Sequence, residues 1–133
     1  MTLEPGTIAF WRDFSPGHDK FVYILGVENE MVFSFTISSQ LKYLSTPLKC
    51  ELVEIPFRST NFLNARSFIQ CFHRVDRTPL AQFRNLEATG TIMWRGCLPA
   101  FIPFIAKVVE DSQVLPGYDR ESVAKLLSRS DAG

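Results

Sequence analysis

The sequence predicts a mainly β domain, a small and strongly bent antiparallel sheet or partly open barrel whose helices come last. Three features carry that expectation. Short apolar runs follow one another at hairpin distance through the first half, clusters of Gly, Pro, Asn and Asp punctuate them, and the apolar period changes from strand-like to helical in the last third.

The elements follow in order. "GTIAFWRDF" succeeds a Pro-Gly turn and reads as a strand, "SPGHD" as a turn or loop, and "KFVYILGV" as a nearly continuous apolar strand. "ENE" turns the chain into "MVFSFTI", so the neighbours should be antiparallel. "CELVEI" alternates and is closed by Pro56, a residue that belongs at a strand end or edge. Residues 58–66, "RSTNFLNAR", read as a loop that rejoins the sheet at Ser67, and "ATGTIMW" as a further strand. After it, Leu98, Phe101, Ile102, Ile105, Val108 and Val109 recur at three- and four-residue intervals and share a helical face. Pro99 and Pro103 cannot both sit inside that helix, which should start between Ala100 and Pro103 and end near Ser112. Asp119 suits an N-cap for "RESVAKLL", with Val123, Leu126 and Leu127 as its apolar stripe, and the tail "SRSDAG" should fray. Helices are thus expected to concentrate after Leu98.

At 133 residues and 15.1 kDa the chain fits one domain, residues 1–133. A hydrophobic share of 46% against 21% charged residues indicates a folded globule. Twelve Phe, two Trp and three Tyr point to an aromatic β core rather than a stacking platform for bases. Fourteen basic and fourteen acidic residues cancel, which excludes a global basic field and leaves room for a local basic patch. "MTLEPGT" has no cationic region followed by an apolar run, and no stretch approaches the ~18 apolar residues of a membrane span. A cytoplasmic protein without membrane contact is expected. Cys50, Cys71 and Cys97 show no CxxC spacing, so they read as three reduced, buried thiols. With two histidines and no HExxH, GxSxG or GxGxxG motif, neither a metal nor another cofactor is expected.

The densest chemistry lies in "SFIQCFHRVDRTPL", Ser67 to Leu80, which begins as a strand and then gathers Gln70, His73, Arg74, Asp76, Arg77 and Thr78. On a regular strand Gln70, Phe72 and Arg74 share one face, and Ile69, Cys71, His73 and Val75 the other. A bulge or strand end near Phe72 would bring His73 and Arg74 to one pocket. The structural alternative pairs Arg74 and Arg77 with Asp76 or other acids and has His73 cap a carbonyl. A second place is "SPGHDK", Ser15 to Lys20, which puts an imidazole and an ammonium on an exposed hairpin connection. It lacks the Walker spacing and precedes a strand, so it is no phosphate-binding P-loop. Its alternative is a plain solvated turn.

The order of these pieces resembles the MazF/PemK family of toxin endoribonucleases. "PGTIAFW" stands for the family's Gly-initiated strand, "SPGHDK" for its flexible first loop, "FVYILG" for the apolar strand, and "VDRTPL" followed by "GTI" for its VD-[KR]-[ST]-x-L element and next strand. The resemblance spans Pro5 to Ile92 and implies an SH3-like antiparallel barrel with C-terminal helices. It also implies a homodimer, a cognate antitoxin protein and metal-independent cleavage of single-stranded RNA. Aligned on Val75 and Asp76, the chain has Gln70 and Cys71 where the family's acid and Gln stand, and His73 where its Arg stands. Its first loop has Lys20 and no Arg-Pro.

Such cleavage needs a base for the 2′-hydroxyl proton, a cation for the phosphorane and an acid for the leaving 5′-oxygen. The resemblance thus points to His18, His73 and Arg74 as catalytic residues, with Arg12, Lys20 and Gln70 on the substrate. Two other functions compete. One is a non-catalytic SH3-like barrel that binds protein or nucleic acid. The other is a small β-rich enzyme using Cys71 and His73 as a thiolate pair.

Overall fold

The computed structural model describes residues 1–39, 51–56, 60, 62–63, 65–71 and 75–132, with side chains through 128. Among the described residues seven strands, all antiparallel, run β1 Thr7–Ser15, β2 His18–Glu28, β3 Met31–Ser38, β4 Leu52–Ile55, β5 Ser67–Gln70, β6 Asp76–Pro79 and β7 Ile92–Cys97. The helices are α1 Leu80–Ala88, α2 Ile102–Glu110, which follows a 3-10 turn at Pro99–Phe101, and α3 Gly117–Ala132. The sheet order is β4-β5-β3-β2-β1-β7, with β6 also on β3. Among the described residues no pairing joins the outer strands β4 and β7, so the fold is mainly β and the sheet is not closed into a barrel.

Alternation along the strands divides the core between two faces. Ile8, Tyr23, Leu25, Phe35, Ile37 and Ile69 point to one face, where Ile102, Ile105 and Val109 of α2 and Val123, Leu126 and Leu127 of α3 cover them. Ala9, Trp11, Val22, Ile24, Val32 and Ile92 point to the other, where α1 inserts Phe83. Each fully buried Leu, Ile or Phe contributes about 1.5–3 kcal/mol relative to exposure. The hairpin between β2 and β3 turns on Asn29 and Glu30, both with positive φ (52° and 60°), as a two-residue turn matching the strand twist requires. Gly6, at φ 98°, lets the backbone of Pro99 approach, and a Cβ there would lie 2.8 Å from Pro99 Cα.

Helices are not confined to the region after Leu98, because α1 lies between β6 and β7. Its sequence, "LAQFRNLEA", buries only Phe83 fully, so it presents no broad apolar stripe. It takes Ala88 of the expected "ATGTIMW" strand, Thr89 to Thr91 turn the chain, and β7 begins at Ile92. Nor does Asp119 cap α3. The helix starts two residues earlier, and the amides of Asp119 and Arg120 donate to the carbonyl of Pro116 at 3.0 and 3.1 Å. The Asp119 carboxylate is instead fully buried, with Oδ1 2.7 Å from Arg77 Nη2 and Oδ2 accepting from the Val75 amide at 3.4 Å. Arg77 therefore takes the structural alternative expected for it, with Asp119 as the acid. Helical backbone continues to Ala132.

Candidate functional site

The β1–β2 hairpin is tighter and more bent than "SPGHD" suggests. Ser15 pairs with His18 across the Pro16-Gly17 turn, and the next pair is Trp11 with Lys20. Arg12, Asp13 and Phe14 of β1 thus stand against Asp19 alone. Asp13 takes a left-handed φ of 52°, and its amide donates to Asp19 Oδ1 at 3.0 Å. Such a bulge bends the strand pair and re-aims its side chains. The bend closes one end of a groove of about 540 Å³, lined by His18, Lys20 and Phe21 of β2, Ser38 at the end of β3, Phe62, and Ser67 of β5.

A second cleft, of about 640 Å³, adjoins it and shares Phe21 and Phe62, with Phe10, Trp94 and Arg95 completing its lining. Phe10 and Phe21 are cross-strand partners with ring centroids 5.1 Å apart, and Phe62 lies 5.5 Å from Phe21 at 34° between planes. Gly96 makes room for Phe62, since a Cβ there would lie 3.3 Å from the ring. In β7, Ile8 pairs with Gly96 and Ala9 with Trp94, so Arg95 is an extra, bulged residue. Its guanidinium carbon sits 5.7 Å from the Phe10 ring centroid. Arg95 forms no ion pair among the described residues.

Of the residues expected to act, His18 and Lys20 line the first groove, His18 being exposed. Arg12 and Gln70 line neither cleft. Arg12 places Nη2 3.3 Å from the Gly90 carbonyl beyond α1, and the largely buried Gln70 accepts from the Thr36 hydroxyl at 2.8 Å. His73 and Arg74 lie outside the described residues, as does Cys50. The strand before them does end early. β5 stops at Gln70, and between the pairs Ile37–Ile69 and Ser34–Asp76 β3 advances three residues while its partner segment advances seven.

The thiolate pair is not supported. Cys71 is fully buried, its Sγ lies 3.7 Å from the Ile69 carbonyl, and burial pushes its thiol far above the usual range, with Glu51 adding to the shift. The cysteines are not uniformly buried either, because Cys97 is exposed. Among the described residues no helix is long and apolar enough to cross a membrane, and no group of His, Cys, Asp and Glu could hold a metal ion.

The residues that sequence reasoning missed are the aromatic ones. Phe10 and Phe21 were detectable by alternation, being in step with Ile8 and Tyr23, but they lie beyond the part of that face which α2 and α3 cover. Trp94 is 56% exposed, and the bulge that sets Arg95 over Phe10 leaves no mark in the sequence. The site thus combines an exposed imidazole and an ammonium with half-open aromatic faces. Protein-family models, curated proteins and solved structures were all compared with the chain, and none matches it.

Proposed function

We propose that the chain is a MazF/PemK-like toxin, a cytoplasmic endoribonuclease that cleaves single-stranded RNA without a metal. The observation that carries this reading is the groove beside the bent β1–β2 hairpin, where His18 and Lys20 stand next to Phe21 and Phe62. Unpaired bases stack on aromatic faces, phosphates seek cations, and an imidazole can serve as a proton donor or acceptor. An antiparallel, mainly β sheet is compatible with an opened SH3-like barrel, and within "VDRTPL" the strand Asp76–Pro79 runs directly into a helix at Leu80. A homodimer and a cognate antitoxin are implied by the family resemblance.

In the proposed reaction a ribose 2′-hydroxyl gives up its proton and attacks the adjacent phosphorus. The 5′-oxygen leaves with a proton, and a 2′,3′-cyclic phosphate remains. His18 moves one of these protons and Lys20 holds the phosphate, while His73 and Arg74 are assigned from sequence as the second proton carrier and the phosphorane-stabilising cation. Incubation of the full chain with a mixed-sequence single-stranded RNA in EDTA tests this. His18→Ala should slow cleavage by roughly 10²–10⁴-fold while melting stays unchanged, and a 2′-deoxy residue at the scissile position should block it. Intact RNA after exhaustive incubation with wild type would refute the enzymatic reading.

A non-catalytic binding module is the second reading. It is favoured by one observation: His18 is the sole imidazole among the described groove residues, and the neighbouring Asp19 carboxylate already accepts the Asp13 amide.

A further inference from the structure

We propose that the cleft formed by Phe10, Phe21, Phe62, Trp94 and Arg95 is a nucleobase-binding subsite, one that seats an unpaired nucleotide next to the His18–Lys20 groove. The proposal deepens the RNA reading above and rests on it for the natural ligand. Its physical basis is separate, and four observations converge on it.

First, the aromatic side chains are only partly covered, although Phe21 and Phe62 also pack against the main core. Trp94 is 56% exposed, and Phe10, Phe21 and Phe62 are half-buried around an open cleft of about 640 Å³. A large exposed aromatic costs solubility unless something covers it. Second, Phe10, Phe21 and Phe62 form a chain of ring contacts at 5.1 and 5.5 Å, so the wall is held by its own neighbours before any ligand arrives. Third, the β7 bulge places Arg95 at the same cleft without an acid partner among the described residues. A guanidinium free of carboxylates presents its fork to a phosphate and its plane to a base. Fourth, Phe21 and Phe62 belong to both clefts, so a strand crossing from one to the other passes Lys20 and His18.

Charge complementarity selects the occupant. Aromatic grooves also hold proline-rich peptides, but such peptides carry no anion to match Arg95 and Lys20. A single-stranded nucleic acid offers a π-face and a phosphate in every nucleotide, and stacking tolerates any base.

Titration of the full chain with a short 2′-deoxy oligothymidylate, which cannot be cleaved through a 2′-hydroxyl, tests the subsite apart from the chemistry. Trp94 should report it, because Trp94 is 56% exposed and lines the cleft whereas Trp11 is only 9% exposed and lines neither cleft. Wild-type fluorescence should be quenched on binding. Trp94→Phe should still bind but lose most of the quench. Trp94→Ala and Arg95→Ala should each weaken binding roughly 10-fold, and an abasic oligomer of equal length and charge should bind worse by a comparable factor. Circular dichroism and melting should match wild type for all three variants.

Equal affinity for the abasic and base-bearing oligomers would overturn the subsite, as would wild-type affinity in Trp94→Ala or no oligonucleotide binding at all. A proline-rich peptide that quenches Trp94 where no oligonucleotide does would reassign the cleft to a protein ligand. The two proposals fail separately. Oligonucleotide binding at Trp94 without RNA cleavage keeps the subsite and ends the nuclease reading, whereas RNA cleavage with unaltered binding in Trp94→Ala does the reverse.

Discussion

Two arginines, Arg77 and Arg95, stand over phenylalanine rings in two parts of the molecule. Arg77 lies 4.9 Å from the Phe33 ring centroid and 5.5 Å from that of Tyr118, with its guanidinium 2.7 Å from the fully buried Asp119 carboxylate. Arg95 lies 5.7 Å from Phe10 and has no acid partner among the described residues. The ring contacts alone do not tell the two apart. The counter-ion does: at the β6–α3 corner the charge is neutralised in place and holds a helix against the sheet, while at the β7 bulge the guanidinium has no counter-ion among the described residues.

The widest gap should appear on deleting each arginine. Arg77→Ala strands a carboxylate with no access to water and should cost about 3–5 kcal/mol in chemical denaturation. Arg95→Ala removes a surface group and should stay within about 0.5 kcal/mol of wild type. Equal losses at the two positions would erase the distinction.

A second buried acid sharpens it. Glu51 accepts from the Ser112 hydroxyl and, at 3.0 Å, from the Gln113 amide, which ties the start of β4 to the α2–α3 connection. Glu51→Ala should therefore cost about 1–3 kcal/mol by leaving those donors unpaired.

A smaller effect than at either buried acid belongs to an ion pair nearer the surface. The Glu87 carboxyl is held below its ordinary value by the hydrogen bond from the Met1 amine, against the opposing effect of burial and with help from Arg84. A depressed carboxyl stabilises the fold above its unfolded value and loses that contribution as pH falls through the folded one. Glu87→Gln should thus lower stability at neutral pH by no more than ~1 kcal/mol. The two proteins should converge in acid below the ordinary glutamate value of about 4.5. A gap that persists or widens in acid would contradict this sign.

Much of the strand order was legible because period-two alternation and turn chemistry are local. The "ENE" turn, the apolar run of β2 and the stripe of α2 needed no tertiary information. α1 was not legible, since its one fully buried side chain, Phe83, is fixed by the opposite sheet face rather than by a repeating pattern. Asp119 was misread for a related reason. A carboxylate at a helix start has the composition of a cap, and only the fold reveals that Arg77, distant in sequence, reaches it. Among the site residues, His18 and Lys20 could be reached from the hairpin sequence. Trp94 and Arg95 depend on a one-residue bulge whose position is set by pairing with β1.

Amide chemical-shift mapping of the labelled full chain with a 2′-deoxy single-stranded oligonucleotide compares the two regions in a single titration. Shifts should concentrate at His18, Lys20, Phe21, Phe62, Trp94 and Arg95, while Val75, Arg77 and Asp119 stay still. Shifts centred on the Arg77–Asp119 corner, or none anywhere, would contradict the assignment of ligand binding to the hairpin end of the sheet.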